Sequence, residues 1–271
     1  ADVERYFPEI LPVQDREGLM DRPVAYREIH FPTSFANLSK ARDRLVFEEI
    51  LFLQLAVARL RQTRTNVDSP PLTGDPELRK AFFKSLPFAL TGAQKRVIRE
   101  IYHDMAQTRG MARLVQGDVG SGKTVVAMAA LLQCVGSGYQ GAMMAPTEIL
   151  AWQHYNSIKA MFDPLGIRVV ALVGNQTKSQ REQVLSMIES GSAHVVVGTH
   201  ALIQEGVMFH SLGLAITDEQ HRFGVKQRTL LQSKGKNPHV LVLTATPIPR
   251  TLALTLYGDL QLSVLDEMPP G

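Results

Sequence analysis

Apolar residues in the last two-thirds of the chain occur in short runs separated by longer segments with helical spacing. The predicted strands are Arg113–Gln116, Gly141–Ala145, Val169–Val173, His194–Gly198, Leu214–Thr217 and Val240–Thr244. The predicted helices between them are Thr124–Cys134, Ile149–Phe162, Lys178–Ser190 and Val225–Leu231. Strands that alternate with helices form a mainly parallel sheet with helices on both faces. We therefore predict an α/β fold whose ligands bind at the carboxyl ends of the strands.

The first third of the chain has a different pattern. Ser39 can cap a helix over about residues 39–64, and its apolar residues recur at spacings of three and four: Leu45, Val46, Ile50, Leu53, Val57 and Leu60. Pro70, Pro71 and Gly74 make Asn66–Pro76 a linker. We predict an N-terminal linker domain over residues 1–86, whose helix packs on a second domain over residues 87–271. A coiled-coil or partner face is the alternative for this helix.

Composition excludes several classes of protein. Hydrophobic residues make up 45% and charged residues 20% of the 271 residues, which is typical of globular domains. No apolar run approaches the roughly 18 residues of a membrane-spanning helix, so we expect no membrane partner. The single cysteine, Cys134, excludes an intrachain disulfide or a multi-cysteine zinc site and fits a reduced, intracellular setting. The net charge of +3 is too small to indicate a nucleic-acid partner by itself.

A phosphate-binding loop is the most specific motif. The segment between the first predicted strand and the next helix matches G-x-x-x-x-G-K-S/T and reads Gly117-Asp118-Val119-Gly120-Ser121-Gly122-Lys123-Thr124. The glycines let the backbone wrap around phosphates, and the helix N-terminus adds partial positive charge. Lys123 can then reach the β- and γ-phosphates while the Thr124 hydroxyl ligates Mg²⁺.

A pair of carboxylates forms the second candidate site. The predicted strand Leu214–Thr217 ends in Asp218 and Glu219. A carboxylate at a strand end can hold Mg²⁺ through its water shell, and its neighbour can take a proton from an attacking water. We therefore predict nucleoside triphosphate hydrolysis with Asp218 and Thr124 as metal ligands and Glu219 as general base.

The order of further motifs resembles the superfamily 2 helicases. Asp218-Glu219-Gln220-His221 resembles motif II of these enzymes. The remaining boxes of the first motor lobe follow the family's order: Leu90–Gln94 (the adenine box), Ala145–Leu150 (Ia), Gly198–Ala201 (Ib) and Thr244–Leu252 (III). This resemblance implies a RecA-like P-loop NTPase lobe that uses ATP and Mg²⁺.

The segments that flank these boxes resemble the RecG family of bacterial branch-migration helicases. They are Ile29–Pro32, Ala41–Glu49, Leu51–Ala56, Pro146–His154, Asp218–Arg228 and Val264–Gly271. The resemblance implies an ATP-dependent DNA helicase in the bacterial cytoplasm, monomeric, that acts on replication forks and Holliday junctions in DNA repair and recombination. A transcription-repair coupling translocase and a non-motor P-loop ATPase switch are the alternatives. Gln220 favours the RecG family over the translocase, and the adenine box with boxes Ia, Ib and III favours a helicase over the switch.

The resemblance also assigns residue roles. Gln94 reads adenine, and Gln220 and His221 couple the γ-phosphate to Thr244 and Thr246. DNA phosphates are assigned to Pro146, Thr147, Gly198, Thr199 and His200, for which ordinary strand-to-helix caps are the alternative reading. The family's wedge domain and second motor lobe would lie outside these 271 residues, and both are expected partners. We therefore expect half a motor, which binds nucleotide but turns it over weakly or not at all.

Overall fold

The structure, a computed structural model, describes residues 3–65, 68–218, 230–246 and 260–269. The chain divides into two compact units, Ala1–Arg61 and Gln62–Gly271. The helices at the start of the chain are α1 (Val3–Tyr6), α2 (Arg22–His30) and α3 (Phe35–Thr65). The packing of α3 on the second unit stays a prediction.

The long helix α3 begins four residues before the predicted cap. Ser34 precedes the helix, and its Oγ accepts a hydrogen bond from the backbone N–H of Asn37 at 3.1 Å. Ser34 is therefore the capping residue, and the prediction of Ser39 was wrong, since Ser39 lies inside the helix. The sequence pattern also missed α2, a nine-residue helix with Pro23 in its first turn.

Buried charges organise the first unit. The Arg44 side chain is fully buried, and its Nη2 lies 2.7 Å from Oε1 of Glu9. The Nε of Arg22 lies 2.7 Å from Oε1 of Glu48 on α3. Burial alone would raise the pKa of Glu9, but hydrogen bonds from the N–H groups of Leu11, Arg22 and Ile10, with the Arg44 charge, lower it to about 2.

The second unit is the predicted α/β fold. Its helices are α4 (Pro76–Ser85), α5 (Gly92–Met105), α6 (Lys123–Val135), α7 (Glu148–Phe162) and α8 (Lys178–Glu189). Its strands are β1 (Ala112–Gly117), β2 (Gln140–Met144), β3 (Val169–Leu172), β4 (Val195–Gly198), β5 (Leu212–Asp218), β6 (His239–Thr244) and β7 (Gln261–Leu265). All six predicted strands are confirmed within one or two residues, whereas β7 was missed. Most of the predicted helix Val225–Leu231 lies outside the described residues.

The seven strands form one parallel sheet in the order β3-β4-β2-β5-β6-β1-β7. Because all strands run in the same direction, their carboxyl ends share one edge, here called the catalytic edge. The central strands β5, β6 and β1 are neighbours, with Asp218 opposite Leu243 and Thr244 opposite Gln116.

Each face of the sheet carries its own core. Met143 and Ile216 pack with α4 to α7, whereas Met144 and Ala215 pack with α8 and the turn that follows β4. This alternation confirms that helices cover both faces. Cys134 and Phe162 are fully buried in the first core, whereas Trp152, on the same helix as Phe162, is 38% exposed.

Residues 62–86, which sequence analysis assigns to the N-terminal domain, group with the second unit. Leu72 and Phe82 are fully buried in its core, and the Phe82 ring packs edge-on against Phe162. Within the described residues, no helix is both long and apolar enough to cross a membrane.

Candidate functional site

The phosphate-binding loop connects β1 to α6 at the catalytic edge. Gly120 and Gly122 adopt left-handed backbone angles, with φ of 87° and 84°. A Cβ on Gly122 would lie 2.2 Å from Nε2 of Gln94. This position therefore requires glycine both for its positive φ and for the close approach of the Gln94 side chain. Asp118 and Val119 are exposed at the tip of the loop. The predicted strand–loop–helix context of the motif is therefore present.

Lys123 folds back over the loop. Its Nζ donates hydrogen bonds to the carbonyl oxygens of Gly117 at 2.6 Å and Asp118 at 2.9 Å. The Ser121 side chain is fully buried, and its Oγ has no hydrogen-bond partner among the described residues. Buried hydroxyls are rarely left unpaired in native proteins. Together with the Thr124 hydroxyl, Ser121 Oγ is therefore a candidate donor to a phosphate group.

The adenine box forms the first turn of α5. Thr91 Oγ1 accepts from the N–H of Gln94, and Gln94 Oε1 accepts from the N–H of Thr91, which makes a capping box. Gln94 Nε2 donates to the carbonyl oxygen of Ser121 at 2.9 Å. The predicted adenine-reading glutamine therefore contacts the phosphate loop directly, with one amide hydrogen and one oxygen lone pair left for a ligand.

A cavity of about 370 Å³ lies beside Gln94 and the phosphate loop. Its lining includes Leu86, Phe88, Gln94, Thr124 and Met128. The wall is mainly apolar, as suits a nucleobase. Sequence analysis missed Phe88, although an aromatic residue two positions before the adenine box was the available signal.

Asp218 is the last residue of β5 and is 9% exposed. Its Oδ2 lies 2.7 Å from Nε2 of His154, a buried histidine on α7. Sequence analysis did not single out His154. The available signal was its position on the apolar stripe Ala151–His154–Ile158, because a buried polar side chain on such a stripe needs a partner.

The other residues predicted at the hydrolytic centre are only partly described. Thr244 ends β6, and its Oγ1 accepts from the N–H of Thr246 at 3.2 Å. Because β6 lies between β5 and β1, Thr244 lies between the Asp218 strand and the phosphate loop. Glu219, Gln220 and His221 lie outside the described residues. The described residues include no cluster of three His, Cys, Asp or Glu side chains that could bind a metal.

The predicted DNA-binding boxes Ia and Ib meet at the catalytic edge. β2 and β4 are neighbours, and the Ala145 N–H donates to the carbonyl oxygen of Gly198 at 2.8 Å. Pro146 and Thr147 follow Ala145, and Thr147 Oγ1 caps α7 by accepting from the N–H of Leu150 at 3.3 Å. The Thr199 hydroxyl is buried without a partner in the described part of the chain, whereas His200 is exposed. Thr147 thus has the capping role given above as the alternative.

Comparison with known proteins identifies relatives over nearly the whole chain. Residues 91–255 match the family model of the DEAD/DEAH box helicases. ATP-dependent DNA helicase RecG of Thermotoga maritima is 50% identical over 97% of this chain and 34% of that protein. RecG of Bacillus subtilis is 47% identical over 97% of this chain and 39% of that protein. The chain therefore spans only about a third to two-fifths of the length of these relatives.

Solved structures give the same picture. RecG bound to a three-way DNA junction superposes with a TM-score of 0.85 at 48% identity, covering 97% of this chain and 36% of that one. The helicase MrfA bound to DNA and AMPPNP superposes with a TM-score of 0.56 at 17% identity, covering 76% of this chain and 31% of that one. The second likeness supports the fold alone.

Proposed function

Because the chain belongs to the DEAD/DEAH box helicase family, we propose that it is the ATP-binding lobe of an ATP-dependent DNA helicase of the RecG type. The observation that carries the proposal is the convergence of three motifs on neighbouring strands. The phosphate loop follows β1, Thr244 ends β6 and Asp218 ends β5. The 50% identity to the Thermotoga maritima RecG, over a region that includes these motifs, supports the same assignment.

ATP and Mg²⁺ are the proposed cofactors. The loop residues Gly117–Thr124 would surround the phosphates, with Lys123 turning from the carbonyls of Gly117 and Asp118 towards the β- and γ-phosphates. Thr124 and Asp218 offer the hard oxygen ligands that Mg²⁺ prefers. Bound Mg²⁺ would neutralise charge that develops on the phosphate oxygens.

The remaining motif residues would orient the nucleotide and the attacking water, and would couple hydrolysis to motion of the motor. Gln94 would hold adenine against the cavity that Phe88 lines. Glu219 would take the proton of the attacking water, and Gln220 and His221 would relay the state of the γ-phosphate to Thr244 and Thr246. These last roles are carried over from the family resemblance.

Branched DNA, such as a replication fork or Holliday junction, is the proposed substrate, and repair and recombination are the proposed processes. Support comes from the relative that was solved on a three-way junction. Pro146, Thr147, Gly198, Thr199 and His200 would contact the DNA phosphates, since the Ala145–Gly198 hydrogen bond holds the two boxes together. Such contacts position DNA without reading its sequence.

The proposal includes the rest of the motor. A wedge domain and a second motor lobe would complete the protein, which we expect to act as a monomer in the bacterial cytoplasm. ATP would be hydrolysed in the cleft between the two lobes. The 271 residues alone are therefore expected to bind nucleotide and to hydrolyse it weakly or not at all.

Nucleotide binding by the 271-residue chain tests this proposal. We expect a fluorescent ATP analogue to bind, ATP to displace it better than GTP, and Lys123→Ala to weaken binding by about 10- to 100-fold, since hydrogen bonds to charged groups contribute about 1.5 to 3 kcal/mol. Lys84→Ala is the matched control, since Lys84 is exposed on α4. Equal displacement by ATP and GTP, or unchanged affinity in Lys123→Ala, would contradict the proposal.

A further inference from the structure

One buried contact joins a helix with no assigned chemical role to the metal site. His154 Nε2 lies 2.7 Å from Oδ2 of Asp218, and the two residues are 64 positions apart in the chain. The side chains are 10% and 12% exposed, so little water competes for the bond. An ionised carboxylate can only accept hydrogen bonds, so Nε2 is the donor.

A second buried histidine shows what a purely structural role looks like. His239 Nδ1 accepts from the N–H of Met111 at 3.0 Å, and its Nε2 lies 2.8 Å from the carbonyl oxygen of Pro70. Both partners are backbone groups, at the edge of the sheet away from the phosphate loop. The partner of His154 is instead the side-chain carboxylate of Asp218, the last residue of β5, on the catalytic edge.

The elements that carry the pair are held by packing along their buried faces. β5 is buried along its whole length between β2 and β6, which fixes the Asp218 backbone. Ala151 and Ile158 bury the same face of α7 on either side of His154. The histidine ring therefore has little freedom to follow a moving carboxylate, and its hydrogen bond restricts rotation of the Asp218 side chain.

We propose that His154 is a positioning residue for the divalent cation: its N–H holds Oδ2 of Asp218 so that Oδ1 faces the metal. The inference rests on the proposed function, because it takes Asp218 as the ligand of a nucleotide-bound Mg²⁺. Hydrogen-bond partners of metal-ligating carboxylates orient the ligand, and their loss typically weakens metal affinity by about 10- to 100-fold.

The bond also connects the proposed metal ligand Asp218 to α7, the helix that begins at box Ia. Thr147 caps α7, and His154 lies seven residues later, about 10 Å along the helix axis. A displacement of the box Ia segment would be carried by α7 to the Asp218 carboxylate.

Three substitutions separate positioning from simple core packing. His154→Leu fills a similar space without a donor. His154→Gln places an amide N–H where Nε2 stands, and His154→Asn is polar but too short to reach. Gln153→Leu is the matched control, since Gln153 is exposed beside His154 on α7.

The measurement is binding of a fluorescent ATP analogue to the 271-residue chain, in EDTA and across a Mg²⁺ titration, with thermal unfolding of each variant recorded. We expect His154→Leu and His154→Asn to raise the half-saturating Mg²⁺ concentration at least 10-fold while affinity in EDTA stays within about twofold. His154→Gln should stay close to the unsubstituted chain. If His154→Leu does not fold, the Asn and Gln pair carries the test.

Two results would overturn the inference while leaving the proposed function intact. One is an unchanged Mg²⁺ dependence in His154→Asn. The other is an equal loss in His154→Gln and His154→Asn, since a donor at the right reach would then make no difference. Failure of the unsubstituted chain to bind the analogue would overturn both the proposed function and the inference.

Discussion

Gln94 Nε2 donates a hydrogen bond to the carbonyl oxygen of Ser121 at 2.9 Å, which ties the adenine box to the phosphate loop. The same side chain accepts from the N–H of Thr91 through Oε1. One glutamine therefore sets the start of α5, supports the loop and lines the cavity beside it. Under the proposed function, recognition of the base and of the phosphates is linked through this residue.

Replacing Gln94 should therefore affect more than base preference. Gln94→Ala removes the donor to Ser121 and should weaken ATP-analogue binding about 10-fold, since a lost buried hydrogen bond costs about 1 to 3 kcal/mol. Gln94→Glu keeps the acceptor for the Thr91 N–H but loses the donor. If Gln94→Ala only abolishes the preference for ATP over GTP and leaves GTP affinity unchanged, the link to the loop is not functional.

We expect nucleotide binding to require glycine at position 122, because a Cβ there would collide with Gln94 as well as strain the backbone. Gly122→Ala adds a Cβ that would lie 2.2 Å from Gln94 Nε2, at a φ of 84°. Gly138 has a φ of 82° with nothing within 4 Å of the added Cβ, so Gly138→Ala is the matched control. Both should lose about 1 kcal/mol of unfolding free energy to the left-handed backbone. Titration with the ATP analogue should show lost binding in Gly122→Ala alone.

Arg113 connects β1 to α5 and β7 through a network of ion pairs and hydrogen bonds in the second unit. Its Nη1 and Nη2 lie 2.9 Å from Glu100 and 2.6 Å from Asp104 on α5, and both nitrogens also donate to β7. Arg113→Met removes these charge-assisted hydrogen bonds and should cost about 2 kcal/mol of unfolding free energy, since hydrogen bonds to charged groups contribute about 1.5 to 3 kcal/mol. Chemical denaturation measures this loss.

Arg96→Ala is the control for that experiment. Its ion pair with Asp266 is exposed, and it should leave the denaturation midpoint almost unchanged. An equal effect of both substitutions would show that burial does not set the strength of the Arg113 network.

The pH dependence of the first unit should follow Glu9. Its pKa is lowered from 4.5 to about 2, so its contacts stabilise the native state fully above pH 4.5 and lose that effect as pH falls towards 2. Glu9→Gln should therefore lower the unfolding free energy by about 2 kcal/mol at pH 7. The difference from the unsubstituted chain should vanish near pH 2. Glu49→Gln, at an exposed position on α3, should show no such pH-dependent difference.

Local pattern was enough for most of the fold. The six predicted strands are buried on both faces of a parallel sheet, so they stand out as apolar runs. The edge strand β7 was missed because Gln261 and Ser263 interrupt its apolar residues. Their partner, Arg113, lies about 150 residues earlier. A local sequence pattern does not show that polar side chains will find hydrogen-bond partners in a distant segment.

In the candidate site, too, the residues of a local motif were predicted and residues that depend on long-range packing were missed. The phosphate loop is contiguous in sequence, so its residues were predicted together with their strand–loop–helix context. His154 and Phe88 reach the site from separate segments and were missed. A histidine on an apolar stripe indicates a buried partner but does not say which one, since strand order decides what lies opposite.

ATP hydrolysis with and without forked DNA tests whether this chain is one lobe of a DNA-dependent motor. The experiment should compare the 271-residue chain with a longer protein that contains this chain and is as long as its RecG relatives. We expect negligible hydrolysis by the chain alone and DNA-stimulated hydrolysis by the longer protein. Equal hydrolysis by the longer protein without DNA, or vigorous DNA-stimulated hydrolysis by the chain alone, would contradict this expectation.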